Sequence, residues 1–372
     1  MDKSTLSNYG WIVIVTLVLA VMLALATPFG TYVGKGASNV IKTFVQSSDN
    51  AVNEDNIDTQ SKDWDEYLNK DDRITTETSD NVMISFMDNP EKMFGAWAND
   101  TTKIVFAKSY DSSLSIVNDP SQVTAGSNKA LDISEAGNGG VVAYRTTEGS
   151  EKVLHIAGKD SVIMANTDSS LVFASLPYTK SIHFNGCYNT VNATNMMMMF
   201  ANDTDDGDGI SSWQSIDVTS FNTSNVTNMM GMFIFAENVK SFDLSTFDTS
   251  KVTDMSAMFE SCHSLETIKF SKKFDTANAT TMNRMFSECE SIKKIDFSSF
   301  DTSNVTDFEC FLHDCPKLTS INISTFNTKN VENAEDMFAR CTSLKTIITG
   351  PEWDMSNANT DNILIDCPAK LP

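Results

Sequence analysis

The feature that most constrains this chain is a repeat of about 26 residues that fills its C-terminal half. One aromatic residue marks each unit, and successive aromatics are 33, 26, 27, 26, 26 and 27 residues apart. These residues are Tyr188, Phe221, Phe247, Phe274, Phe300, Phe326 and Trp353. A unit this short cannot bury its own apolar side chains, so it is stable only when neighbouring units stack against it.

An apolar motif inside each unit predicts a short helix. Met255, Met258 and Phe259 are spaced i, i+3 and i+4, which is typical of one buried helix face. Thr253 and Asp254 precede them, and this pair suits a helix N-terminus, where a threonine caps free N–H groups and an acid favours the dipole. The same columns recur in most units.

The end of each unit predicts a short strand. Leu265 is followed by Ile268 and Phe270, and the final apolar alternation has the two-residue period of a strand with one face buried. We therefore predict an α/β repeat fold, a leucine-rich-repeat-like solenoid of about 26-residue units, each with a short helix and a strand. A small β-rich region and an N-terminal transmembrane helix precede it.

Composition divides the chain into four predicted parts. Residues 1–29 form a membrane anchor or signal segment, and residues 30–81 form a polar stalk. Residues 82–184 contain short β-type runs separated by Asp, Asn, Gly and Ser, which predicts the β-rich region. Residues 185–372 form the solenoid.

The N-terminal segment contains an uncharged apolar run, Trp11–Ala26. As a helix it would reach roughly 24–27 Å, close to the thickness of a hydrocarbon core. Three interpretations stay open. The run is an uncleaved anchor, or a signal peptide cut after the small-x-small site at Ala26, or the packing helix of a pilin-like filament subunit whose leader ends at Gly10.

Charge and cysteine content restrict the possible functions. The formal net charge of −22 would repel phosphate backbones, so we do not expect a nucleic-acid partner. The seven cysteines are odd in number and most share one repeat column, which argues against a disulfide framework and favours small buried side chains. The histidines form no recognisable catalytic signature with a serine or cysteine, so we expect no enzyme and no cofactor.

The repeat motif resembles a known family. The run Phe300–Asp307 (Phe-Asp-Thr-Ser-Asn-Val-Thr-Asp) and the run Met255–Leu265 resemble the BspA-like leucine-rich-repeat surface proteins, also called the DUF285 or mycoplasma-lipoprotein repeat. The resemblance covers about residues 185–372. It implies display outside the cell membrane, adhesion or host interaction, and no enzymatic activity. The partner would be an extracellular protein or glycan, with the N-terminal helix in the membrane unless the protein is secreted.

The outward column of the predicted strands is the candidate binding site. Its residues recur at the repeat spacing, so stacked strands would align them on one polar face. They are Asp217, Asp243, Lys269, Asp296 and Asn322.

An acidic insertion, Asp203–Ile210, is a weaker candidate for a calcium loop. Asp206 and Asp208 would supply oxygen ligands, which calcium prefers. A calcium loop registered on Gly209 would place Ser215 at the position that normally holds a bidentate carboxylate. A solvated loop is therefore the better explanation of the insertion.

Overall fold

The computed structural model describes residues 81–85, 90–124, 127–160, 162–202 and 212–371. The predicted membrane run Trp11–Ala26 and the predicted stalk, residues 30–81 except for Asn81, lie outside these residues. Among the helices of the described part, none is long and apolar enough to span a bilayer.

Strands dominate the described chain. In order they are β1 (Lys103–Ala107), β2 (Ser115–Val117), β3 (Lys129–Asp132), β4 (Val141–Glu148), β5 (Glu151–Gly158), β6 (Ile163–Met164), β7 (Ser181–His183), β8 (Tyr188–Asn189), β9 (Ser215–Asp217), β10 (Ser241–Leu244), β11 (Thr267–Phe270), β12 (Ser320–Ile323) and β13 (Thr346–Thr349). One short α-helix, α1 (Pro90–Phe94), and two 3₁₀ segments, Gly95–Asn99 and Pro120–Gln122, precede or interrupt them.

Seven of the strands form one sheet, in the order β2-β3-β4-β5-β1-β7-β9. β4 runs antiparallel to β3 and β5, while the pairs β2–β3, β5–β1, β1–β7 and β7–β9 are parallel. β1 to β5 come from the β-rich region, whereas β9 belongs to a repeat. A single sheet therefore continues from that region into the repeats.

The repeats stack in parallel register. β10 pairs with β11 and β12 with β13, each pair offset by 26 residues. On the opposite side of each unit, single residues form a ladder of parallel bridges that links eight successive units. Its members are Asp168, Asn195, Asn228, Asp254, Thr281, Asp307, Asn333 and Asn359.

The predicted helix-plus-strand solenoid is wrong, because the segment predicted to be helical consists of consecutive turns. In the unit of Phe259, the N–H groups of Met258, Glu260 and Cys262 donate to carbonyls three residues earlier. The alternate N–H groups, including that of Phe259, instead donate to the next unit, 26 residues further along. A helix would satisfy these donors internally. In this structure, alternate N–H groups instead hydrogen-bond to the next unit, as neighbouring strands do in a sheet.

Backbone conformation enforces this arrangement. Ala257 and Ser261 have φ values of 55° and 56°, in the left-handed region, and the equivalent residues of other units share it. Two such residues four positions apart are incompatible with a right-handed helix. We call the turn segments the turn ribbon; in chain order they cover residues 168–176, 195–202, 228–237, 254–263, 281–290, 307–316, 333–342 and 359–368.

The apolar stripe is nevertheless buried. Phe259 is fully buried and stacks on Phe233 and Phe286, with ring centroids 5.6 and 5.4 Å apart. Phe200 and Phe173 continue this column toward the N-terminus. All seven cysteines are free and six of them are buried, which confirms their prediction as small core residues.

Polar side chains connect the units where the sequence predicted helix caps. The hydroxyl of Thr253 donates to the carbonyl of Thr227 in the preceding unit, so this threonine column is not an N-cap. A second column of threonines is fully buried and bonds to the following unit instead. In this column, the hydroxyl of Thr249 donates to the carbonyl of Asp275 at 2.7 Å. Asn225 and Asn304 likewise donate side-chain N–H groups to preceding units. These repeated polar residues therefore form the framework of the stack.

Candidate binding surface

The structure places the predicted site residues on the outward side of the strands. Asp217, Lys269, Asp296 and Asn322 are exposed and Asp243 is half-buried, while the residues beside them in the strands point inward. We call this outward side the sheet face. It is not one continuous hydrogen-bonded sheet, because Asp296 lies in none of the described strands.

One pair on the sheet face is in direct contact. Asp243 and Lys269 are register partners on β10 and β11, and the lysine Nζ lies 2.8 Å from the carboxylate Oδ2. Hydrogen bonds from Lys269 and from Ser245 lower the pKa of Asp243 to about 2. The opposite charges of Asp243 and Lys269 therefore largely offset each other at this point of the face.

The acidic column also has a structural role that the sequence analysis missed. Oδ1 of Asp243 accepts the backbone N–H of Ser245, two residues further on. Asp217, Asp296 and Asn322 form the same Asx-type turn with the residue two positions later. Recurrence of Asp or Asn at this position is therefore explained by the turn that ends the strand, and it is not by itself a sign of ligand binding.

The sheet face extends beyond the repeats into the seven-stranded sheet. Asp217 pairs with His183, His183 with Val105, and Val105 with His155. Register partners on adjacent strands point to the same side of a sheet. The outward row that includes Asp217 on β9 therefore continues across β7, β1 and β5.

The row ends in an aromatic pair. Tyr144 is the register partner of His155, and their rings stack with centroids 4.7 Å apart and planes 9° apart. Thr146 Oγ1 lies 2.8 Å from His155 Nε2 and fixes the imidazole ring. Burial lowers the pKa of His155, so the ring is neutral at physiological pH. The sequence showed these segments as strands but contained no signal for the parallel pairing of β1 with β5 and β7.

The calcium candidates Asp206 and Asp208 lie outside the described residues. Within the described part of the chain, no cluster of three or more His, Cys, Asp or Glu residues has an arrangement that could hold a metal ion. The sheet face is thus a polar surface that ends in the stacked Tyr144–His155 pair.

Comparison with known proteins identifies the repeat. The family described as "Mycoplasma protein of unknown function, DUF285" matches residues 170–294 and 267–367. The two overlapping matches run together from residue 170 to residue 367, which is more than half of the chain. No curated protein and no solved structure matches it. The chain therefore belongs to the DUF285 family.

Proposed function

We propose that the chain is a cell-surface binding protein whose ligand, an extracellular protein or glycan, lies across the sheet face. The observation that carries this proposal is the shared register of outward residues on neighbouring strands, shown by His183 with Asp217 and by Asp243 with Lys269. Neighbouring strands are about 4.8 Å apart. A ligand that lies across them therefore contacts several units at once, and many weak contacts add up to one useful affinity.

The chemistry of the sheet face favours a polar ligand with some apolar surface. Hydroxyl side chains at Ser215, Ser241 and Thr267 are exposed beside the charged column. The Tyr144–His155 stack supplies a flat apolar element at one end, and aromatic rings commonly pack against such ligands. Ile348, exposed at 49%, supplies another at the opposite end of the repeats.

The proposal that the chain is displayed at the cell surface rests on two features of its sequence. The repeat motif resembles that of the BspA-like surface proteins, and the apolar run Trp11–Ala26 has the composition of a membrane segment. Mass spectrometry of the mature N-terminus separates the three interpretations of this run. A chain that begins at Met1 or Asp2 is anchored, one that begins at Thr27 is secreted by signal cleavage, and one that begins at Trp11 is pilin-like.

The binding site is tested with the full chain on arrays of glycans and immobilised host proteins. The test variant combines Asp217→Asn, Asp243→Asn and Asp296→Asn. Asparagine can still accept the Asx-turn hydrogen bond, so the fold is retained while three negative charges are removed. We expect any ligand found on the arrays to bind the variant at least about threefold more weakly, because each exposed charged contact is worth about 0.2–1 kcal/mol and three are removed.

The matched control removes three charges elsewhere, with Glu290→Gln, Glu335→Gln and Asp336→Asn on the turn ribbon. This control should bind the array ligand like the natural chain. If the control loses binding while the sheet-face variant keeps it, the ligand binds the ribbon and the proposal is wrong.

A further inference from the structure

Lysines recur along the edge of the sheet face at which the strands begin. The position concerned directly follows a buried residue of each unit, such as Leu265 or Leu344. In chain order it holds Lys180, Gln214, Lys240, Glu266, Lys293, Thr319 and Lys345. A cation therefore occupies every second unit, and all four lysines are exposed. We call these four lysines the lysine row.

Backbone hydrogen bonds show that residues at this position lie side by side in the stack. In each case, the N–H of one residue donates to the carbonyl of the residue one unit earlier. The donors and acceptors are Gln214 to Lys180, Glu266 to Lys240 and Lys345 to Thr319, with N···O distances of 2.7, 2.9 and 3.0 Å. The rings of the core column keep a similar spacing between units, 5.4–5.7 Å. Since neighbouring strands are about 4.8 Å apart, lysines in every second unit are roughly 10 Å apart.

The chain itself does not neutralise the lysine row. Other lysines near the strands have carboxylate partners: Lys269 lies 2.8 Å from Asp243, and Lys152 lies 3.2 Å from Asp100. No lysine of the row forms such an ion pair with any residue that the structure describes. Its ammonium groups are therefore available to an anion from outside the chain.

This edge also carries an excess of positive charge on an otherwise acidic chain. In the seven units concerned, the edge position and the three residues that follow it include six lysines and four acids, a net charge of +2. The whole chain has a net charge of −22. Glu266 is the acid in line with the row, between Lys240 and Lys293. An anionic ligand is therefore attracted to this edge although the chain as a whole repels it.

The spacing of the cations indicates what kind of anion fits. A nucleic-acid duplex carries a charge about every 1.7 Å, which is far denser than one cation in every second unit. A polysaccharide with a carboxylate on every second sugar is a closer match, because each sugar ring extends the polymer by about one strand spacing. Exposed hydroxyl groups lie one residue further on; Ser241 pairs with Thr267, and Ser320 pairs with Thr346. Such groups donate and accept hydrogen bonds, as sugar hydroxyls do.

We propose that the lysine row is a second binding surface, which takes an acidic polysaccharide that lies along the stack. Carboxylates of the polysaccharide bind successive lysines of the row, while hydroxyls of its sugars hydrogen-bond to the neighbouring serine and threonine side chains. Each exposed ion pair contributes little, so binding requires a polymer long enough to reach several lysines. This surface uses cations, and it is therefore distinct from the acidic column of the sheet face.

The test measures binding of a fluorescein-labelled hyaluronate decasaccharide, which carries a carboxylate on every second sugar, to the full chain. Fluorescence anisotropy is recorded at about 0.1 M salt, where charges more than about 10 Å apart are largely screened. The row variant combines Lys180→Gln, Lys240→Gln, Lys293→Gln and Lys345→Gln. The matched control changes four exposed lysines away from the row, with Lys108→Gln, Lys159→Gln, Lys251→Gln and Lys272→Gln. We expect the row variant to bind at least about fourfold more weakly, because four ion pairs are lost, and the control to lose less than about twofold.

Glu266→Gln gives a second test, whose expected result cannot arise from a loss of folding. It removes the acid between Lys240 and Lys293, so hyaluronate should bind about 1.5- to 2-fold more tightly. The proposal is overturned if the natural chain does not bind hyaluronate, if the control loses as much affinity as the row variant, or if Glu266→Gln fails to tighten binding. It is also overturned if neutral dextran or a single-stranded thymidine oligonucleotide binds as tightly as hyaluronate.

The proposals for the two surfaces fail separately. Acidic glycans are assayed in this experiment and left off the arrays that test the sheet face. Neutralising Asp217, Asp243 and Asp296 should not weaken the binding of hyaluronate, since these residues repel an anion. A negative result with hyaluronate therefore leaves the sheet-face ligand unaffected, and a negative array result leaves the lysine row unaffected.

Discussion

Replacing Ala257 by glycine tests whether the repeats contain a turn ribbon or a helix. Ala257 has a φ of 55°, and Gly231 occupies the same column one unit earlier with a φ of 58°. An alanine in the left-handed region is disfavoured by roughly 1–2 kcal/mol, and glycine avoids that cost. Glycine also makes the unfolded chain more flexible, which costs about 0.4–1 kcal/mol. Loss of a half-buried methyl group costs a few tenths more, since complete burial is worth about 0.8 kcal/mol.

These contributions nearly cancel in the observed structure. We expect Ala257→Gly to change the free energy of unfolding by between about −0.5 and +1 kcal/mol, where positive values stabilise. In a helix interior, the same change would destabilise by about 1 kcal/mol before the methyl contact is counted. The two conformations thus predict values that differ by more than the error of a careful urea titration.

A matched control is available in the next unit. Ala277 is also half-buried, but it is not among the residues with positive φ, so Ala277→Gly should destabilise by about 1 kcal/mol. The assay is equilibrium urea unfolding of the full chain, followed by circular dichroism. If Ala257→Gly destabilises as much as Ala277→Gly does, the left-handed conformation of the ribbon is wrong.

Three further predictions concern the core and the framework. Phe259→Ala should lower the free energy of unfolding by about 3–5 kcal/mol, because it leaves a cavity between Phe233 and Phe286. A decrease of less than about 1 kcal/mol in the same urea assay would place this ring outside the core. Thr249→Val should lower the free energy of unfolding by about 1–3 kcal/mol, because it leaves the buried carbonyl of Asp275 without its hydrogen-bond donor. An unchanged unfolding midpoint would show that this hydroxyl is dispensable. Burial raises the pKa of Glu260 to about 7 in the folded state, so the free energy of unfolding should fall as the pH rises from about 4.5 to 7. Glu260→Gln should remove that part of the pH dependence. If the free energy of unfolding of the variant changes with pH as steeply as that of the natural chain, this prediction is wrong.

The sequence predicted which residues are buried better than it predicted their conformation. Met255, Met258 and Phe259 are all in the core, as a helical stripe requires. Spacing of i, i+3 and i+4 is not unique to a helix, however. A chain of turns closed by i to i−3 hydrogen bonds also returns side chains to one side at such intervals. Local periodicity therefore could not distinguish the two, since the deciding hydrogen bonds connect residues 26 positions apart.

The site was predictable to a similar degree. The outward column of Asp217, Asp243 and Lys269 followed from the two-residue alternation of short strands, and the structure exposes or half-exposes each of these residues. Its continuation through His183 and His155 was not predictable, because parallel pairing over long sequence distances leaves no local pattern. Whether the column binds a ligand stays a prediction.

Repetition itself limits what can be inferred about function. Residues that recur in most units, such as the buried threonines near Thr249 and the Asx-turn acids near Asp243, each make a hydrogen bond within the stack. A column constrained in this way cannot vary freely to suit a ligand. Specificity should instead reside in outward columns whose residues differ from unit to unit. The sheet-face column varies in this way at Lys269 and Ile348, which are exposed and pair with Asp243 and Asn322 in the preceding units. Binding differences among chains with this repeat should therefore follow substitutions in such variable columns more closely than substitutions in the framework.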